Sequence, residues 1–234
     1  ADMAEDLSRE ILIAVTTFAT SWERRLILRR VLRHFRFKNA RTPYRLLLVS
    51  DGPLTSRAIL QDADYIFSSR QALGLHRGEH ASIKIALEFA LAHGYRYLLK
   101  MGGDTICNTD GWVEHFYRMM RTAGKEFLST HWFSDDSYVF GTKFFLANCA
   151  LLRRAYPESL ETSDLEMQLT QRLSKEFDVR HLAYMINPVT RERQENRNEL
   201  RAADWQHAHK IYKFQGLEMG ASALERAVNR GLVY

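Results

Sequence analysis

No apolar run in this sequence approaches the roughly 18 residues that a bilayer-spanning helix requires, so no helical membrane span is expected. The opening stretch, Ala1 to Glu10, is acidic and poor in apolar side chains, and does not read as a secretory signal. Cysteine is scarce: Cys107 and Cys149 are too few for a disulfide framework and lack metal-ligand spacing. Together these features predict a reduced, cytoplasmic setting, with at most peripheral contact with a membrane. A zinc-ligand cluster, an RNA-binding aromatic signature and a compact basic tail are also missing, which argues against nucleic acid as a partner. There is no internal repeat and no low-complexity linker, so a single domain is expected.

What is present suits a large α/β domain. The chain has 234 residues, of which 46% are hydrophobic, enough for a full core. Its formal charge is +5 and its pI about 9.2, a balance that permits phosphate ligands without selecting them. Compact apolar runs at Ile11–Val15, Arg45–Val49 and Tyr97–Met101 read as buried strands, and Ala63–Phe67 as a shorter one nearer an edge. Ser21 is placed to cap a helix from Trp22 to Phe37, whose Leu28, Val31, Leu32 and Phe35 would face the sheet while its arginines face water. A second helix from Glu79 to His93 would end at Gly94, and a third, capped by Asn108 or Thr109, would follow Gly111. Glu126–Thr130 reads as another strand, His131–Tyr138 as a polar and aromatic surface loop, and Val179–Met185 as a last strand. The resulting order, β-α-β-β-α-β-α-β, is that of a layered fold with a mostly parallel sheet.

Polar and small groups collect where these strands stop. The first ends in Thr16-Thr17-Phe18, the second in Ser50-Asp51-Gly52-Pro53, the central one in Gly102-Gly103-Asp104. In α/β sheets ligands bind at the carboxyl ends of such strands. A glycine pair there allows a sharp turn or the close approach of a ligand. Further on, Tyr156-Pro157 breaks the chain before a helix with Leu165, Leu169 and Leu173 four apart. Thr162 or Ser163 would cap that helix, and Asp164 would sit in its first turn, where a carboxylate is favoured by the helix dipole. A charged segment, Arg191 to Arg201, separates it from a C-terminal part expected to be helical from about Asp204.

In this order the landmarks resemble a GT-A-fold glycosyltransferase, above all the large inverting family 2, from about Ile11 to Tyr184. Ile11–Thr17 looks like the family's opening strand, and Val49-Ser-Asp-Gly-Pro53 like its Val-Asp-Asp-Gly-Ser element, with Ser50 at the first acidic position. Gly78, Ser82, Lys84 and Ala86 fall on the Gly-x-x-x-Ala-Arg-Asn-x-Gly helix, with Lys84 where Asn is usual. Leu99–Asp104 matches the strand leading into Asp-x-Asp, although Gly102 stands at its first acidic position. Phe145–Arg154 resembles the strand and arginine pair before the acceptor-side helix.

The resemblance implies a GT-A-like domain over residues 1–190, with 191–234 as a helical extension packed on it. It implies a nucleotide-diphosphate sugar as donor and a hydroxyl acceptor on a glycan or glycolipid. Thr16, Thr17, Phe18 and Asp51 would meet the nucleoside, and Gly102, Gly103 and Asp104 the diphosphate. Asp104, with His209 from the His207-Ala-His209 pair, would hold Mn²⁺ or Mg²⁺. With one acidic position lost, Arg77, Lys84 and Lys100 would share the neutralisation of the leaving group. Asp164 would be the catalytic base that takes the acceptor's proton, with Glu166 second. The competing reading is a GT-A-fold module that binds nucleotides without turnover. Sugar nucleotidyltransferases rank lower, for want of a Gly-rich, Arg- and Lys-containing signature near Ile11.

Overall fold

Alternate residues of β1 (Ile11–Thr17) enter two different cores, because successive side chains of a strand point to opposite faces of the sheet. Ile11, Ile13 and Val15 join one apolar cluster, Leu12 and Ala14 the other. The structure is a computed structural model that describes residues 3–18, 21–54, 57–107, 110–122, 124–134, 137–159, 164–176, 183–186 and 206–207. On the first face, α2 (Trp22–Lys38) and α5 (Trp112–Thr122) pack through Leu28, Leu32, Phe35, Trp112 and Phe116. On the second, α4 (Leu75–Ala92), α6 (Cys149–Ala155) and α7 (Leu165–Glu176) pack through Ile83, Leu87, Leu152 and Leu169. Helices on both faces explain why β1, β2 (Leu46–Ser50) and β4 (Tyr97–Gly102) are almost wholly buried and carry apolar runs without alternation, Lys100 of β4 excepted.

With β6 (Phe127–Ser134) and β7 (Ser137–Asn148), the sheet has seven strands in the order β3-β2-β1-β4-β7-β6-β8, β3 (Tyr65–Ser68) at one edge and β8 (Ala183–Ile186) at the other. β3, β2, β1 and β4 pair in parallel, as does β8 with β6. β7 runs antiparallel between β4 and β6. The mostly parallel, helix-flanked sheet is the one expected from sequence, edge strand included. Ser21 caps α2 by accepting the Arg24 N–H through its hydroxyl, and Gly94, at φ 75°, turns the chain after α4.

Several expectations need correction. His131–Tyr138 is not a loop. His131 pairs with Phe140, Trp132 with Val139 and Phe133 with Tyr138, so β6 extends to Ser134 and β7 begins at Ser137, residues 135 and 136 lying outside the described ones. The stretch is rich in aromatic residues, whose strand propensity competes with its local polarity. α4 begins at Leu75 rather than Glu79, and an unforeseen α1 (Met3–Glu10) precedes β1, with a short α3 (Arg57–Leu60) after β2. Asp164 lies just before α7 rather than within its first turn, and it caps the helix: its Oδ1 accepts the Met167 N–H at 3.0 Å. Thr162 and Ser163, the residues expected to cap it, lie outside the described residues, as do Asn108 and Thr109. Gln206–His207, expected to be helical, form a two-residue strand (β9) against β5 (Thr105–Ile106). The remainder of 191–234, and with it the expected domain boundary, lies outside the described residues.

Candidate functional site

Three neighbouring strands, β2, β1 and β4, end side by side, and their carboxyl ends open on a cavity of about 390 Å³. The backbone ladder continues past the strands: the Asp51 N–H donates to the Thr17 carbonyl at 2.9 Å and the Gly103 N–H to the Thr16 carbonyl at 2.8 Å. That continuation fixes the strand ends in one row. Thr16, Thr17, Phe18, Asp51, Gly102, Gly103 and Asp104 all line the cavity, so the residues singled out at three separate points in the sequence meet in space. Gly78, Glu79 and Ser82 of α4 complete the lining, with Arg24 and Ile27 of α2 and Lys143 of β7. The Arg24 guanidinium donates to the Phe18 carbonyl at 3.2 Å and sits 5.4 Å over its ring.

Asp51 is a structural hub of this wall. Its two carboxylate oxygens accept the Leu73 and Gly74 N–H groups at 2.8 and 2.9 Å, tying β2 to the entrance of α4. A Cβ on Gly78 would come within 1.9 Å of Oδ2, so the carboxylate lies directly on the helix backbone. Gly78→Ala must therefore unseat Asp51 from both amides. Losing hydrogen bonds to a charged group costs about 1.5–3 kcal/mol. At roughly 2–4 °C per kcal/mol for a chain of this size, a thermal melt of the variant is expected to show a midpoint lowered by several degrees. An unchanged midpoint would mean that the carboxylate moves aside freely.

Lys100 forms the floor. It is fully buried, its ammonium bound to Glu79 Oε1 at 2.7 Å and to the Thr142 carbonyl. Burial by itself would raise the Glu79 carboxyl, but the Lys100 ammonium outweighs it and, with help from the Lys143 charge, holds the group below its ordinary value. Alternation explains the placement: Leu98 and Lys100 point from β4 toward α4, while Tyr97, Leu99 and Met101 point the other way. Lys100 is thus committed within the protein rather than presented to a ligand.

Asp104 stands where the turn leaves β4. Its Oδ2 faces the Lys143 ammonium at 3.7 Å, and a Cβ on Gly102 would lie 2.9 Å from its Oδ1 and 3.1 Å from the hydroxyl of Thr105, a buried side chain. A side chain at position 102 would therefore have to displace the Asp104 carboxylate from its present position. Among the described residues no group of three or more His, Cys, Asp or Glu is placed to hold a metal ion. Of the cavity's carboxylates, Asp51 is bound to backbone amides, Glu79 to Lys100, and Asp104 faces an ammonium. This donor set does not fit the oxygen-rich octahedral site that Mg²⁺ favours. His209, the other expected metal ligand, lies outside the described residues.

The remaining expected site residues are not brought to this cavity. Arg77 is exposed and Lys84 pairs with Glu158 at 2.6 Å; neither lines it. Asp164, at the start of α7, is not among its lining residues. Glu166 Oε1 accepts the Thr142 N–H at 2.6 Å and the Thr142 hydroxyl at 3.1 Å, which joins α7 to β7 beside the Lys100 anchor. Glu79 and Lys143 were not foreseen. A lysine before the apolar run Phe144–Ala147 is not by itself a signal for Lys143, since lysine side chains are mostly exposed.

No family model matches this sequence, and no curated protein matches it. Among solved structures it is similar to a proposed glucose-1-phosphate thymidylyltransferase from Bacillus anthracis, with a TM-score of 0.53 and 8% identity over 92% of this chain and 99% of that one. It is similar also to S. aureus TarS 1-349 in complex with UDP, with a TM-score of 0.51 and 10% identity over 76% of this chain and 57% of that one. A third is a cytidylyltransferase from Leptospira borgpetersenii, at 0.50 and 12% over 76% of each chain. At such identities the likeness establishes the α/β fold alone.

Proposed function

We propose that the chain is an inverting glycosyltransferase that binds a nucleotide-diphosphate sugar in the strand-end cavity and moves the sugar to a hydroxyl of a glycan or glycolipid. The observation that carries this reading is the convergence of Thr16-Thr17, Asp51 and Gly102-Gly103-Asp104 at the carboxyl ends of three adjacent strands. In the reaction the bond from the sugar's anomeric carbon to the diphosphate breaks and its electron pair leaves with the phosphate oxygen. The acceptor oxygen bonds the same carbon from the opposite face and gives its proton to a carboxylate. Asp164, which caps α7 and does not line the donor cavity, is our candidate for that carboxylate.

A thermal-shift and turnover panel over uridine, guanosine, cytidine and thymidine diphospho-sugars, with the matching triphosphates, tests the reading. Release of the nucleoside diphosphate with the sugar recovered on an acceptor or on water is the expected result. Release of pyrophosphate from a triphosphate and a sugar phosphate would instead identify a nucleotidyltransferase, the activity named for two of the structural neighbours. Binding without turnover across acceptors would identify a binding module. No shift with any nucleotide would overturn all three.

A further inference from the structure

Lys143 lines the cavity and its ammonium faces Asp104 of the Gly102-Gly103-Asp104 turn. Arg77 and Lys84 do not line the cavity, and the Lys100 ammonium is held by Glu79 and the Thr142 carbonyl. Lys143 is anchored on β7 beside the strand that carries the turn: its carbonyl lies 3.8 Å from where a Gly102 Cβ would stand. Its side chain is 42% exposed and that of Asp104 30%, and the 3.7 Å pair is loose. A pair so exposed is held weakly and can be exchanged for a stronger partner at little cost.

We propose that Lys143 is the charge-neutralising residue for the donor's diphosphate, taking the place of a divalent cation, and that Asp104 is the counter-charge that positions it. This inference rests on the nucleotide-sugar reading above. As the anomeric C–O bond breaks and the electron pair stays on the terminal phosphate oxygen, the Lys143 ammonium donates a hydrogen bond to that oxygen and keeps its proton. Asp104, released from the ammonium, is left beside the phosphate, where its own charge opposes binding. A metal ligand would do the reverse, and that opposite sign separates the two roles.

The test is titration calorimetry of the full chain with UDP and with inorganic pyrophosphate, in chelator and again with Mg²⁺ or Mn²⁺. In chelator, Lys143→Gln is expected to lose roughly ten- to hundredfold in affinity for both probes, the range for one hydrogen bond to a charged group. Lys143→Arg should restore most of it, and Asp104→Asn should bind up to about fivefold more tightly. Thermal melts guard against misfolding, which the exposure of Lys143 makes an unexpected outcome. If binding appears only with the metal, vanishes in Asp104→Asn and ignores Lys143→Gln, the role of Lys143 is overturned while the nucleotide reading stands. If neither probe, nor any nucleotide of the panel above, binds in any buffer, both are overturned.

Discussion

Asp164→Asn should lower sugar transfer by about 10²–10⁴-fold while leaving donor affinity and melting temperature close to those of the parent chain, because removal of a general base costs that much. The substitution is clean for a structural reason. Asp164 Oδ1 accepts the Met167 N–H at the start of α7, and asparagine caps a helix about as well as aspartate. A residue that serves only as a cap would therefore tolerate the change in every respect. Parallel measurement of transfer rate, donor binding and thermal midpoint separates the two roles in one variant. Undiminished transfer would reduce Asp164 to a cap and move attention to Glu166, whose Oε1 is already engaged by Thr142.

Lys100→Met should be the most destabilising single change at the site. Removing one member of a buried ion pair leaves the other uncompensated, at a cost of roughly 3–5 kcal/mol. Glu79 keeps 25% of its side chain exposed and can recover some hydration, so the lower end of that range is expected. At roughly 2–4 °C per kcal/mol this is a fall of about 6–12 °C in a thermal melt. Adding Glu79→Met should recover much of it, since apolar groups of similar size often replace a buried pair without loss. The pair also gives the parent chain an acid dependence. The Glu79 carboxyl titrates below its ordinary value in the folded state. Its contribution is therefore complete above the unfolded glutamate value, near 4.3, and is lost as the pH falls through the lower folded one. Lys100→Met should melt with a weaker dependence across that acid window. A single variant that melts like the parent would show that the pair contributes nothing.

The parts of this architecture that are legible in the sequence are those with one dominant cause. β1, β2 and β4 are mainly apolar because helices cover both faces, and Ser21 and Gly94 mark their helix ends by local chemistry. The strand-end placement of Thr16, Asp51 and Asp104 follows from those strands. What is less legible depends on partners distant in sequence. His131 to Phe140 looks polar until the two halves are laid against one another, and Lys143 is hidden because its meaning lies in Asp104. Asp51 reads as a ligand contact from its position alone. Its grip on the Leu73 and Gly74 amides, and its seat on Gly78, emerge only when α4 returns to β2.

The parallel register that sets Ile11 against Tyr97 and Thr16 against Gly102 also dictates when the cavity comes into being. A pairing between segments so far apart pays its loop-closure entropy before any contact rewards it, and such closures form late in folding. During synthesis, β1 and β2 emerge long before β4 can join them, so a nascent chain carries two of the cavity's rows and no cavity. A ligand that needs all three rows recognises only the finished sheet. It therefore draws the population away from every partly assembled species, by about 2.7 kcal/mol at a hundredfold excess over its Kd.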